Sequence, residues 1–509
     1  MMKLFFSVVL LFVVLSCASP KSEIPEQAAD FCSAIHRNDS ISLSKVLALV
    51  ADSMRDKTGV YVLEDGGGSL VARAWLTEYA EQSIDIQYFI FSPDNVGLIA
   101  CDYLVRAADR GVNVRLLVDD IMVEAGVHEI LTLDSHPNIE IKIYNPGVNL
   151  GKNIVSKIKK YATDFRSANQ RMHNKTFIVD GKITITGGRN IADEYFDYDH
   201  EYNFRDRDVL LMGKVNETIE KSFHEFWMSS LSVPVRDLVS EEEKNDADST
   251  HFDRLHQYAC NPDNFWPQVR ERIQQLPTAF ESLRTSGLVW LDHVDFVSDV
   301  PGKNDGTKGL GGSGVCTDTL ISLIKRAKKS LDIQSPYLIT TDVGRTLFAD
   351  AVKRGVKVRI LTNSMASTDN MEAFSGYQRE RKKLLEAGVE IYEFKPDAKE
   401  RFNVMTGALQ EKMNFTPIFG LHAKSMIVDG EIAVIGTFNL DPRSAHLNTE
   451  CIAVIHSPEV AQGVLNGIAT EMLPENSWHT TLDFNPDAEA GNGKRVKAFT
   501  RKLVPKAIL

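Results

Sequence analysis

The chain has 509 residues, 43% of them apolar and 25% charged, and a formal net charge of −12. That length and composition suit two ordinary hydrophobic cores in one body. The acidic balance counts against a nucleic-acid enzyme, which usually shows a basic surface, although local basic patches leave that reading open.

In chain order, the first segment is "MMKLFFSVVLLFVVLSCASPKS": one lysine, about a dozen apolar residues, then Val14-Leu15-Ser16-Cys17. The apolar run is short for a membrane-spanning helix and has the shape of a signal peptide. A small residue before the cysteine resembles a bacterial lipobox, in which Cys17 becomes the lipid-bearing N-terminus; an uncleaved signal anchor is the alternative. Either predicts a membrane-tethered body outside the cytoplasm. Ala18, where many inner-membrane lipoproteins carry aspartate, predicts the outer membrane in a host with two.

Helix-like and strand-like segments then alternate: helix 70–81, apolar strand 84–91, helix 96–109, strand 112–118, and a further helix and strand. Next comes "QRMHNKTFIVDGKITITGGRN" (170–190), read as strand, Asp-Gly turn and strand. Side chains at i and i+2 of a strand share a face, so His173 and Lys175 point the same way.

The same order returns later: helix 318–329, strand 331–339, helix 342–353, strand 356–362, and then "LHAKSMIVDGEIAVIGTFN" (421–439). The two hairpins superimpose without a gap, His173 on His422, Lys175 on Lys424, Asp180 on Asp429 and Asn190 on Asn439. Upstream, "EQSIDIQYFI" resembles "KKSLDIQSPYLI", and "RGVNVRLLVDD" resembles "RGVKVRILTNS". A repeat of about 250 residues is far too long for a solenoid and means two similar half-domains facing each other. The expected class is α/β, with a sheet and outer helices in each half. The expected divisions are a signal at 1–17, an extension at 18–54, a first half at 55–236, a connection at 237–313, a second half at 314–484 and a basic tail at 485–509. The glycine-rich run "GKNDGTKGLGGSG" in the connection lacks the ending of a phosphate-binding P-loop and reads as a surface loop.

Without Cys17, five cysteines remain, and none forms a C-x-x-C pair. Cys101 and Cys451 lie in apolar segments and read as buried thiols, and no zinc site follows from the cysteines.

Two His-Lys pairs meeting at a pseudo-twofold interface would make one site of two imidazoles, two ammonium groups and two asparagine amides. Such a set suits a tetrahedral anion, and the lysines would compete with a metal ion, so the expected ligand is a phosphate with no metal or cofactor. One neutral histidine can attack phosphorus while the other, protonated, gives its proton to the leaving oxygen.

The two H-x-K-x4-D-x6-G-x-x-N stretches resemble the paired signature of the phospholipase D superfamily, over roughly residues 55–480. "IDIQYFI", "RMHNKTFIVDG", "TGGRNIADEYF", "LHAKSMIVDG" and "FNLDPRSAHLNTE" are most similar to the bacterial cardiolipin synthase C group. The resemblance implies two phospholipase D-like halves with mixed central sheets around one active site. It implies a metal-free phosphatidyl transfer, in which His173 forms a covalent phosphatidyl-histidine and His422 acts as acid, then as base. Lys175, Lys424, Asn190 and Asn439 would hold the phosphate oxygens. Phosphatidylglycerol is the implied substrate, with phosphatidylethanolamine as a further candidate. A hydrolytic phospholipase D is the alternative, and a related nuclease a weaker one.

Asp180 and Asp429 belong to the motif and to the catalytic set it implies, although Asp is favoured at that turn position for backbone reasons alone. To fix the histidine tautomers, Asp208 in "RDRDVLL" and Glu450 in "NTECIAVI" are the expected carboxylates. Family members often carry serine or threonine where the second copy has Thr437; the first copy has Gly188, expected to leave room beside the phosphate. Residues 151–170 place Ile154, Ile158, Tyr161 and Phe165 at helical spacing among lysines, which suits either an anionic bilayer or an ordinary surface helix. The basic C-terminal stretch reads as a second membrane contact or a disordered tail.

Overall fold

The computed structural model describes residues 42–120, 127–146, 170–240, 250–265, 287–303, 312–405 and 417–501. The signal and Cys17, residues 151–169 of the lysine-framed segment, the acidic run at 241–249 and most of the glycine-rich run lie outside them.

Among the described residues, nineteen strands form two large sheets and one small one. In chain order they are β1 (Thr58–Leu63), β2 (Ser83–Tyr88), β3 (Asn113–Asp119), β4 (Ile139–Tyr144), β5 (Thr176–Val179), β6 (Ile183–Gly187), β7 (Tyr202–Arg205), β8 (Asp208–Gly213), β9 (Ser232–Pro234) and β10 (Val289–Leu291). Then follow β11 (Val294–Ser298), β12 (Ser330–Gln334), β13 (Lys357–Asn363), β14 (Glu390–Phe394), β15 (Ile418–Leu421), β16 (Ser425–Val428), β17 (Ile432–Gly436), β18 (Cys451–His456) and β19 (Ser477–Thr480). The first sheet runs β10-β1-β8-β6-β5-β2-β3-β4-β9 and the second β11-β18-β17-β16-β12-β13-β14-β19.

Both sheets are mixed for the same reason. Helices Asn95–Asp109 and Val127–Asp134 carry the chain between parallel strands β2, β3 and β4, as Asp342–Lys353 and Met371–Glu386 do between β12, β13 and β14. Parallel neighbours need such crossovers, whereas the hairpins β5–β6 and β16–β17 turn in three residues. Asp180 and Asp429 adopt φ of 51° and 59°, and Gly181 and Gly430 follow at 62° and 70°. Positive φ at both central positions is the twist-matched hairpin turn that Asp-Gly favours.

The central strands are buried on both faces, which explains their nearly continuous apolar runs. Along β8, Leu210 and Met212 enter the outer core of the first half, while Val209 and Leu211 enter a second core. That second core also takes Ile178 from β5, Ile427 from β16, Ile435 from β17 and Ile455 from β18. The period of two thus sends alternate side chains outward to each half's helices and inward to a core shared by the halves.

The 237–313 segment is more than a connection: β10 completes the first sheet against β1, and β11 edges the second against β18. The basic C-terminal stretch is also docked. Helix Asn492–Arg501 lies against Met371–Glu386, where Arg501 pairs with Glu372 at 2.7 Å and Lys494 Nζ donates to the carbonyls of Ala366 and Thr368. Cys101 and Cys451 are free thiols, as is Cys316. Cys260 is in a disulfide.

Candidate active site

Because β5 runs antiparallel to β2, with Gln87 opposite Thr176, residues just before β5 sit at the carboxyl ends of the parallel strands. That end is where open α/β sheets place their ligands. His173 and Lys175 lie there, and His422 and Lys424 occupy the same place before β16, which is antiparallel to β12.

Two short pairings between the halves bring these ends together. β15 runs parallel to β7, with Leu421 opposite Arg205, so the next residues, His422 and Asp206, leave the ladder side by side. His422 N–H donates to the Arg205 carbonyl at 2.8 Å. In the mirror arrangement Met172 bridges to Thr449, His173 N–H donates to the Thr449 carbonyl at 3.0 Å, and the next residues are His173 and Glu450.

The carboxylates are therefore exchanged across the pseudo-twofold. His173 Nδ1 lies 2.8 Å from Glu450 Oε2, and His422 Nδ1 lies 2.6 Å from Asp206 Oδ2. A carboxylate at Nδ1 accepts the Nδ1 proton and leaves Nε2 with its lone pair, the tautomer a nucleophile or base requires. Each of these two histidines therefore takes its carboxylate from the opposite half.

Glu450 meets the expectation as the partner of His173, but Asp208 is not the partner of His422. Asp208 sits on buried Arg73 at 2.9 Å and accepts from Ser69 Oγ at 2.7 Å, so its role is to neutralise a core arginine. The pairing register explains the difference. Gly187 faces Asp208 and the equivalent Gly436 faces Ile452, so Glu450 corresponds to Asp206. Asp206 and Asp208 share a face by alternation, and only strand pairing distinguishes them.

The same register accounts for Gly188 and Thr437. Thr437 Oγ1 donates to Glu450, as does Ser444 Oγ at 2.6 Å. At Gly188 a Cβ would lie 2.1 Å from Asp206 Oδ1, so the space expected beside the phosphate is filled by the shorter carboxylate. Beneath Glu450, Asp299 accepts its backbone N–H at 3.1 Å and pairs with buried Lys303 at 2.8 Å. Both come from the stretch read as a mere connection.

Asp180 and Asp429 stand at the wrong end of the hairpins for catalysis. The four residues of β5 separate Lys175 from Asp180, a span of roughly 16 Å at 3.3 Å per residue. The Asp180 carboxylate accepts the backbone N–H groups of Glu81, Gln82 and Ser83, and Asp429 accepts those of Lys328, Lys329 and Ser330. They anchor the starts of β2 and β12. Asp180→Ala is expected to cost about 1–3 kcal/mol, the scale of lost hydrogen bonds to a charged group. The check is a lowered Tm with kcat essentially unchanged.

Both lysines are buried with their ammonium groups folded over the motif. Lys175 Nζ donates to the His173 carbonyl at 2.8 Å, and Lys424 Nζ donates to the His422 carbonyl at 2.6 Å while lying 3.0 and 3.1 Å from that ring's two nitrogens. Burial, opposed by the pairing with Glu450, brings the His173 pKa down to about 4; burial and then the Lys424 charge bring His422 to about 3. Burial and the opposing Lys424 lower Lys175 to about 7, and burial lowers Lys424 to about 8. Burial works to raise the carboxylates, but their histidine partners and hydrogen-bond donors hold Asp206 and Glu450 ionised. Before substrate arrives, the site is two neutral imidazoles on two carboxylates, with ammonium groups made acidic by desolvation and, at Lys175, by the neighbouring Lys424 charge. An anion between the lysines relieves both effects.

Asn190 Oδ1 accepts from Ile90 N at 3.0 Å and its Nδ2 donates to Tyr195 Oη at 2.8 Å, leaving one amide hydrogen uncommitted. Asn439 is also buried, and its Oδ1 has no hydrogen-bond partner. The sequence reading missed Asp206 and the aromatic walls. Phe89 meets the His173 ring edge-on at 5.0 Å; Tyr195 and Phe204 stand 5.1 and 4.7 Å from the His422 ring. "RDRD" held the missed carboxylate in plain view, but no spacing rule selected it.

Two halves contributing paired histidines and lysines to one buried site define an enzyme of the phospholipase D type. Residues 76–227 and 320–470 match the family described as "Cardiolipin synthase, PLD-like domain", and the chain belongs to that family. It is 35% identical to cardiolipin synthase C of Escherichia coli (strain K12) over 84% of this chain and 87% of that one. It is 27% identical to cardiolipin synthase 1 of Bacillus anthracis over 89% of this chain and 71% of the relative. A solved phosphatidylserine synthase of Haemophilus influenzae has the same fold, with a TM-score of 0.57 at 13% identity, covering 91% of this chain and all of that one.

Proposed function

We propose that the protein is a phosphatidyltransferase that makes cardiolipin by joining a phosphatidyl group to phosphatidylglycerol. The observation that carries the chemistry is the exchanged pairing of His173 with Glu450 and His422 with Asp206, which holds both Nε2 atoms ready for phosphorus chemistry. The lipid assignment rests on family membership and on the named relatives.

In the first step His173 Nε2 attacks phosphorus, an N–P bond forms and the bond to the donor headgroup oxygen breaks. His422, protonated as the substrate's negative charge enters, gives that oxygen its proton. In the second step His422 Nε2 takes the proton of the acceptor hydroxyl, whose oxygen attacks phosphorus and releases His173. Lys424 against the His422 ring makes that imidazolium a stronger acid than His173, which supports His173 as nucleophile. Lys175, Lys424, the uncommitted hydrogen of Asn190 and the amide of Asn439 are the donors for the nonbridging oxygens.

For the free enzyme, kcat/KM is expected to keep rising as pH falls below about 7, because His422 is neutral in the empty site and must take up the proton it later donates, and to turn over only near pH 4, where His173 is itself protonated, well below the ordinary imidazole range. It should fall as pH rises through about 7 to 8, because loss of the lysine protons removes the charge that binds the anion. A pH–rate profile of kcat/KM checks both limbs.

Membrane attachment through Cys17, outside the cytoplasm and at the outer membrane where one exists, remains part of the proposal. Among the described residues no helix is long and apolar enough to cross a membrane.

Purified protein lacking residues 1–17 is expected to convert vesicles of phosphatidylglycerol, with or without phosphatidylethanolamine, into cardiolipin identified by mass spectrometry. Phosphatidic acid as the sole product would make it a hydrolase, and no lipid product together with cleavage of DNA would overturn the lipid reading.

A further inference from the structure

At the opposite end of β18 from Glu450, three side chains with no part in the chemistry converge. β11 and β18 are antiparallel with Val294 opposite Ile455, so His293 stands directly across from His456, whose backbone N–H reaches the His293 carbonyl at 3.3 Å. Asp295 is two residues from His293 and shares its face. The two imidazoles stack with centroids 3.8 Å apart and planes 4° from parallel. Both Nε2 atoms turn to one oxygen: His293 Nε2 lies 3.2 Å and His456 Nε2 3.3 Å from Asp295 Oδ2.

We propose that His293, Asp295 and His456 form a binding site for a divalent transition-metal ion of the zinc class. With metal–ligand bonds of 2.0–2.1 Å, neighbouring ligand atoms of a tetrahedral site lie roughly 3.3–3.4 Å apart. The two Nε2 to Oδ2 separations are close to that edge length, and all three ligand atoms fall within 4.8 Å of one another; the stacked rings need only tilt apart for both in-plane lone pairs to meet one ion. Two imidazoles and one carboxylate select zinc, nickel or copper over magnesium or calcium, which prefer all-oxygen sites. The position is accessible, with the His293 side chain 61% exposed and that of His456 28%, so an ion can enter and water can complete its shell.

The site's place in the fold gives it a structural role. His293 lies between β10, which belongs to the first sheet, and β11, which belongs to the second. An ion there clamps the crossing segment onto β18. Six residues of β18 set His456 about 20 Å from Glu450, too far to touch the reacting phosphate.

The test uses the chain lacking residues 1–17, freed of any purification tag and dialysed against EDTA. Zinc chloride is titrated calorimetrically, with magnesium chloride as comparison, and Tm is recorded with and without zinc. One zinc per chain is expected, with Tm rising as zinc saturates the folded state and magnesium giving no such effect. His456→Gln, and separately Asp295→Asn, should weaken zinc binding on the order of tenfold or more and remove the Tm shift. Both should keep the lipid-transfer rate of the parent in EDTA, which shows that the variants fold. Absence of saturable zinc binding by the parent, or binding by both variants equal to the parent, would overturn the proposal.

Discussion

His173→Ala and His422→Ala are each expected to lower phosphatidyl transfer by about 10⁴-fold or more, the scale seen when a nucleophile or its acid–base partner is removed from a unit that acts together. Both side chains are buried beside carboxylates of the opposite half, so alanine removes the reacting nitrogen and leaves each carboxylate's other partners in place. The two variants should differ on a donor whose headgroup is a nitrophenol. Such a leaving group needs no proton, so His422→Ala should still release it in a burst, whereas His173→Ala should not. A burst from His173→Ala and none from His422→Ala would reverse the roles.

The second large effect concerns the exchanged carboxylates. Asp206→Asn and Glu450→Gln are expected to lower kcat by about 10²–10⁴-fold, because an amide at Nδ1 no longer enforces the tautomer with a free Nε2. KM should change little, since the lysines that meet the phosphate are untouched. The acid limb of the pH profile should move as well, a change that a general loss of stability would not produce. Asp208→Asn provides the contrast. It leaves Arg73 buried without its counter-charge, which predicts a fall in stability of roughly 3–5 kcal/mol with kcat of the folded fraction retained. Measured kcat, KM and Tm for the three variants separate positioning residues from a structural ion pair.

Much of this was legible in the sequence, for physical reasons. The Asp-Gly turns declared both hairpins, and the i, i+2 spacing put each histidine and lysine on one face. The duplication then implied that neither copy works alone. What the sequence could not carry was register between strands. Asp206 and Asp208 differ by one full period of a strand, and the apolar run that begins at Val209 pulls the eye to the nearer aspartate. The loop from Asn190 to Asp206 is longer than that from Asn439 to Glu450, so counting from the motif fails too.

The aspartates of the motif show the converse. Their place in a recognised pattern suggested chemistry, but the backbone donors of Glu81, Gln82 and Ser83 show Asp180 fastening a strand. Gly188 similarly looked like a missing hydroxyl and proves to be the space that Asp206 needs. The contribution of β10, β11, Asp299 and Lys303 was hidden because an acidic run and a glycine-rich run flank them. Strands of three and five residues between such runs carry too little periodicity to be read.

The most direct test of the covalent mechanism is to mix the enzyme with radiolabelled phosphatidylglycerol, quench within the first turnover and map the labelled peptide. A phosphoramidate on His173 is expected, absent from His173→Ala and dependent on substrate. Label at His422 alone would invert the assignment, and rapid turnover with no protein-bound label at any quench time would contradict the two-step transfer.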